Sequence, residues 1–89
     1  MYEPSRRYAF LIEAQDAPDV LVRVLTLFAV QPLTLAQVAM TTRDGDCTIR
    51  VEADGLSAQR AEVLLQRLQG LAIVRSVGLA WRGLAALAG

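Results

Sequence analysis

Eighty-nine residues make one small domain, in which about 60–65% of the unfolded chain's surface can be buried and a monomer is only marginally stable. Nine arginines balance nine acidic side chains, lysine is absent, and the arginines are scattered, so there is no basic stripe for a phosphate backbone and no nucleic-acid partner is expected. The sequence has no histidine and a single cysteine, Cys47, which excludes a Cys–His or Ser–His nucleophile, an intrachain disulfide and a structural zinc site; no cofactor, metal or catalytic residue is expected.

A 54% apolar composition is high for so small a body, and apolar surface left over after folding marks an association surface. No apolar run approaches the ~20 residues that span a bilayer. The opening Met-Tyr-Glu-Pro-Ser-Arg-Arg carries no signal-peptide hydrophobic region. The expectation is a cytoplasmic protein with no membrane contact.

Along the chain, Arg7 to Ala14 is apolar on both alternating faces, through Tyr8, Phe10 and Ile12 on one and Ala9 and Leu11 on the other, as a central strand requires. Asp16 can cap free N–H groups, Pro18 suits a position without a donor, and Asp19 adds negative charge at the positive end of a helix dipole. Val20, Leu21, Val24, Leu25, Leu27 and Phe28 recur at helical spacing, which predicts a helix from about Pro18 to Val30, stopped by Pro32.

Leu33 to Thr42 is the second predicted strand, with Leu33, Leu35, Gln37 and Ala39 on one side and Thr34, Ala36, Val38 and Met40 on the other. Asp44-Gly45 is a hairpin signal, and Cys47 to Ala53 returns with Cys47, Ile49, Val51 and Ala53 opposite Thr48, Arg50 and Glu52. A thiol in that strand is expected to be a small buried side chain. Ser57 N-caps a second helix to about Gln69, whose stripe is Ala58, Ala61, Leu64, Leu65 and Leu68, and Gly70 stands at its C-cap. Leu71 to Trp81 supplies a fourth strand, and residues 82–89 form an apolar tail.

The order β-α-β-β-α-β predicts an α+β, ferredoxin-like domain over residues 7–81, a four-stranded antiparallel sheet with both helices on one face. The second strand is then an exposed edge with neither Pro nor charge between Leu33 and Thr42. Natural proteins rarely leave such an edge open, so pairing with another copy is expected, through Leu33, Leu35, Gln37, Val38 and Met40. Trp81 is a candidate interface anchor or a cover for the rim of its own sheet. A partner on the open sheet face would meet Ala9, Leu11, Arg50 or Glu52, according to strand phase.

Asp16-Ala-Pro-Asp-Val-Leu21 resembles the Asp-x-Pro-Gly-x-Leu junction of ACT domains. Arg23-Val24, Leu27-Phe28 and the close of the chain, Leu64-Leu-Gln-Arg-Leu-Gln-Gly-Leu-Ala-Ile-Val-Arg-Ser-Val77, are similar to the regulatory (small) subunit of acetolactate synthase. The resemblance implies the ACT-type fold, a dimer, and a non-catalytic subunit that activates a catalytic large subunit in branched-chain amino-acid biosynthesis. In ACT domains a small amino acid often lies between the first loop of one protomer and the second strand of its neighbour. By motif, Asp16, Pro18, Asp19, Val20 and Leu21 frame that site, where helix N–H groups favour a carboxylate.

Asp19 departs from the family's glycine. A second carboxylate facing a ligand carboxylate costs about 1 kcal/mol or more in a partly desolvated site. Weak or absent amino-acid binding is therefore expected, as in the short small subunit of the isozyme that escapes valine feedback. The alternative is a stand-alone ACT-type module that binds an amino acid. An RNA-recognition sheet would stack bases on central-strand aromatics, which Thr48-Ile-Arg-Val-Glu52 lacks.

Overall fold

The computed structural model describes residues 6–83. The elements are β1 (Arg6–Gln15), α1 (Val20–Ala29), β2 (Thr34–Arg43), β3 (Asp46–Asp54), α2 (Ala58–Gln69) and β4 (Val74–Gly83). The four strands form one antiparallel sheet in the order β2-β3-β1-β4, with the two helices on one face. This is the expected ferredoxin-like βαββαβ fold, with β1 and β3 central and β2 and β4 at the edges.

Alternation decides the core. Tyr8, Phe10, Ile12 and Ala14 of β1 and Cys47, Ile49, Val51 and Ala53 of β3 are buried against Val20, Val24 and Phe28 of α1 and Ala61, Leu64 and Leu68 of α2. Phe10 and Phe28 meet edge to face, with ring centroids 5.1 Å apart, which ties the central strand to α1. Cys47 belongs to this core, its thiol facing the carbonyl of Gln15 at 3.9 Å.

The local signals act as their chemistry dictates. The Ser57 hydroxyl accepts the N–H of Arg60 at 3.2 Å and caps α2. Asp44 and Gly45 both take positive φ, 53° and 81°, so the β2–β3 hairpin turns through two left-handed residues, as a tight two-residue turn requires. Gly70 closes α2 in right-handed geometry, its N–H directed at the carbonyls of Gln66 and Arg67.

Three element ends and the register of β2 depart from expectation in ways that matter for the surface. Helix α1 starts at Val20, because Asp19 takes the N-cap position and Pro18 lies in the preceding turn. β4 starts at Val74, because the N–H of Val74 bonds back to Leu71 and closes a turn; Leu71 and Ile73 pack against the core from that turn. At its other end β4 continues to Gly83, opposite Arg6, and the remainder of the expected tail, 84–89, lies outside the described residues. β2 carries a bulge: Leu35 pairs with Ala53, Gln37 with Glu52, and Ala36 is the extra residue between them. The simple alternation expected for this strand is therefore wrong. Leu35 shares the helix-side face with Val38 and Met40, while Gln37 and Ala39 lie on the open face.

Phe10 is the largest apolar side chain at the centre of the sheet, and its truncation leaves both Phe28 and the sheet without a partner. Phe10→Ala is expected to destabilise by about 3–5 kcal/mol. A domain this size holds roughly 4–13 kcal/mol in total. Urea denaturation followed by far-ultraviolet circular dichroism should show a midpoint displaced to low denaturant or no folded baseline.

Candidate functional site

The β1–α1 junction is held by backbone bonds. The N–H of Asp16 donates to Gly45 in the β2–β3 turn at 3.0 Å, that of Ala17 to Gln15 at 2.9 Å, and that of Val20 to Ala17 at 3.1 Å. The loop is thus pinned to the hairpin before the helix begins. Asp16, Pro18 and Asp19 are exposed, Leu21 is half-buried, and Val20 is core. Of the five motif residues, Asp16, Pro18 and Asp19 present side chains to a ligand approaching from solvent; Val20 instead anchors the helix beneath them.

Asp19 occupies the N-cap of α1 but makes no side-chain cap bond. Its carboxylate turns along the helix to Arg23, with Oδ2 2.9 Å from Nε. An exposed i,i+4 pair of this kind contributes a few tenths of a kcal/mol. The Asp19 carboxylate thus stands near the positive end of the helix dipole, with Arg23 balancing part of its charge.

The candidate pairing residues divide between faces. Leu35 and Val38 are exposed on the helix side, Met40 is half-buried beside them, Gln37 faces the open side, and Leu33 precedes the strand, its N–H donating to Gln31. Apart from Met40, every residue of β2 is exposed. Leu35 and Val38 are large apolar side chains in water, on a strand with one hydrogen-bonding edge unpartnered within the described chain.

A third feature was only half legible in the sequence. On the open face, Arg7 makes a two-pronged contact with Asp54, Nε to Oδ1 and Nη2 to Oδ2, both at 2.9 Å. Glu52 lies between two guanidinium groups: Arg50 Nε is 3.0 Å from one oxygen and Arg7 Nη1 is 4.0 Å from the other. Glu52 is only 7% exposed, which an unpaired carboxylate would not tolerate. Alternation placed Arg50 and Glu52 on one face; their link to Arg7 depends on the β1–β3 register, in which Arg7 is opposite Asp54. The phase also puts Ala9, Leu11, Arg50 and Glu52 together on this face.

Trp81 lies opposite Tyr8 on the helix side, 54% exposed, with the guanidinium of Arg6 4.0 Å from its ring centroid. The same arginine donates to the Tyr8 hydroxyl at 3.2 Å. Trp81 therefore caps the rim of its own sheet through a cation–π contact while leaving half its surface in solvent.

Burial pushes the Cys47 thiol up, and the carboxylates of Asp16, Asp46 and Glu13 add to the shift, so it is a thiol and not a thiolate at neutral pH. Among the described residues no three acidic or cysteine side chains come together as a metal site. None of the described helices is long and apolar enough to cross a membrane.

The antiparallel β2-β3-β1-β4 sheet and the junction beside its hairpin define the class: a ferredoxin-like domain of ACT type. A family model of the ACT-like domain matches residues 3–85, and the chain belongs to that family. ACT domains are regulatory modules that bind small molecules. The ACT domain of GTP pyrophosphokinase from Chlorobium tepidum has the same fold, with a TM-score of 0.74 at 12% identity over 83% of this chain and 96% of that one. The C-terminal domain of MgtC from Mycobacterium tuberculosis superposes with a TM-score of 0.72 at 17% identity, over 96% of each chain. A homoserine dehydrogenase from Thiobacillus denitrificans, TM-score 0.72 and 14% identical, contains the fold as part of a larger chain: the match covers 86% of this protein and 17% of that one. No curated protein matches the sequence.

The Arg7 bond holds the Asp54 carboxyl below its ordinary value of 3.8, outweighing the opposing effect of burial. A depressed carboxyl favours the folded state above its unfolded pKa, and that contribution is lost as pH falls through the lower folded value. Between pH 6 and pH 2, wild-type stability in urea should therefore fall more steeply than that of Asp54→Asn, the difference opening below about pH 4. Parallel profiles would mean the pair contributes nothing.

Proposed function

We propose that this protein is a non-catalytic small subunit of acetolactate synthase, acting as an edge-paired dimer that raises the activity of a catalytic large subunit and responds weakly or not at all to amino-acid feedback. The observation that carries the feedback part is the Asp19–Arg23 pair. It sets a carboxylate at the mouth of the junction, where the amino-acid-binding pattern has glycine. The subunit role itself is supported by the sequence likeness at Arg23-Val24, Leu27-Phe28 and residues 64–77, and by family membership.

The pairing is supported by the bulge in β2. By gathering Leu35, Val38 and Met40 on the helix side, it forms an apolar strip along an open edge. Two such edges meeting antiparallel about a dyad would make a continuous eight-stranded sheet and cover both strips. The same dyad would bring the junction of one protomer toward the start of its partner's β2, the place where an ACT ligand is held.

A stand-alone amino-acid-binding module is the second reading, favoured by the junction's rigid attachment to Gly45, which presents Asp16 and Pro18 in a fixed frame.

The test is acetolactate synthase activity of the same organism's large subunit, with and without this protein, over a valine titration. Activation that is insensitive to valine is expected for the wild type. In calorimetry, Asp19→Gly should tighten valine binding about fivefold or more, from removal of about 1 kcal/mol of repulsion. Wild-type activation that valine abolishes would overturn the role assigned to Asp19. No activation, together with amino-acid binding by the wild type, would move the protein to the second reading.

A further inference from the structure

The sheet face turned away from the helices carries one carboxylate that the described residues do not match. Arg7 and Arg50 are balanced there by Asp54 and Glu52, and Asp46 is held by Arg75 Nη2 at 2.8 Å. At the hairpin tip Arg43 faces Asp44 at 3.9 Å, both in solvent. Glu13 is left over. It is half-buried on β1, between Thr48 of β3 and Ser76 of β4. One oxygen accepts the Thr48 hydroxyl at 2.9 Å, and among the described residues no arginine stands within ion-pair distance.

Further along β1, past Leu11, the same face is hollow. Two shallow depressions, of about 190 Å³ and 290 Å³, adjoin and share Ala9, Arg50 and Ala80 in their linings. The floor is Ala9 with Ala80 and Gly78 of β4, and Leu11, 43% exposed, forms a wall. A Cβ on Gly78 would meet only the Leu11 Cβ at 4.0 Å, so the fold tolerates a side chain there and its absence keeps the hollow open.

These two features specify what can cover the face. Apolar cover alone would take water from Glu13 and leave it one hydroxyl donor, a costly state for a carboxylate. The occupant must therefore bring a cation to Glu13 and an apolar side chain to the hollow. A sheet face, unlike an edge, offers no backbone bonds to an extended chain, so the occupant must satisfy its own backbone, as a helix does. From the middle of the hollow, between Ala9 and Leu11, to Glu13 is three residues of strand, about 10 Å. Seven residues of helix, two turns, span the same distance on one side.

We propose that this face docks on the catalytic large subunit, against a helix that offers an apolar side chain to the hollow and, two turns away, an arginine or lysine to Glu13. The proposal rests on the small-subunit reading above and adds to it the surface and the chemistry of the contact. Four strands about 4.8 Å apart and about 30 Å long present about 570 Å², or about 1,100 Å² counted over both partners. That is the lower limit of a specific interface, so the hollow and Glu13 each carry a large share of the binding.

Calorimetric titration of this protein into the same organism's large subunit tests it, with sedimentation velocity to follow the mass of each variant alone. Gly78→Leu, which fills the hollow, and Glu13→Arg, which reverses the charge, should each raise the dissociation constant at least about tenfold while the variant keeps the wild-type mass. Glu13→Gln keeps the Thr48 bond and loses only the charge; it should weaken binding about fivefold, and added salt should weaken its binding less than that of the wild type. If Gly78→Leu fails to fold, Glu13→Gln and its salt dependence decide. Wild-type binding that all three variants match would overturn the docking face and leave the small-subunit reading standing. A wild type that neither binds nor activates the large subunit would overturn both. Variants that lose binding only together with the wild-type mass would assign the face to contacts between copies and overturn the docking.

Discussion

Two helices cover one face of a four-stranded sheet and no more, and most of what is distinctive in this protein follows from that constraint. The covered face is apolar at its centre and closes around Phe10 and Phe28. The uncovered face carries Ala9, Leu11, Gly78 and Ala80 beside one connected set of ion pairs. Among the described residues, the outer edge of β2 has no strand beside it. The ion network answers the problem on the open face: a carboxylate as buried as Glu52 is stable only because Arg50 and Arg7 stand on either side.

Much of the fold was legible from residues alone because independent local signals agreed. Ser57 began a helix and Gly70 ended it. Asp44-Gly45 turned a hairpin. Tyr8, Phe10 and Ile12 on one side of β1, with Ile49 and Val51 on one side of β3, set the core face. Failures came where the local signal is silent or ambiguous. Nothing in Thr34-Leu-Ala-Gln-Val38 announces a bulge, since Ala36 is an ordinary residue in an ordinary strand; the extra residue is visible only against the β3 register. Leu71 and Ile73 look like a strand because buried turns and buried strands share apolar composition, and only the hydrogen bond from Val74 to Leu71 separates them.

The candidate site was legible as a motif and less so as a place. Asp16, Pro18 and Asp19 are exposed beside the hairpin, while Val20 lies in the core. The bond from Asp16 to Gly45 depends on topology that no local window contains. Asp19 is the instructive residue. Its departure from glycine is visible in the sequence, whereas its contact with Arg23 needed coordinates. The open face shows the same division. Alternation gave Arg50 and Glu52 a common side, but both faces of β1 are apolar enough that only pairing could decide where Ala9 and Leu11 point.

The dimer proposed above requires β2 to pair with a second copy, because only there would the apolar strip of Leu35, Val38 and Met40 be covered. Amide hydrogen exchange of the whole protein, followed by nuclear magnetic resonance at several concentrations, tests this most directly. The alternate amides of β2 that β3 does not engage should be protected at high concentration and lose protection together on dilution, while those of β1 and β3 stay slow throughout. Outward β2 amides that exchange as fast as the junction loop at every concentration would rule out the paired edge.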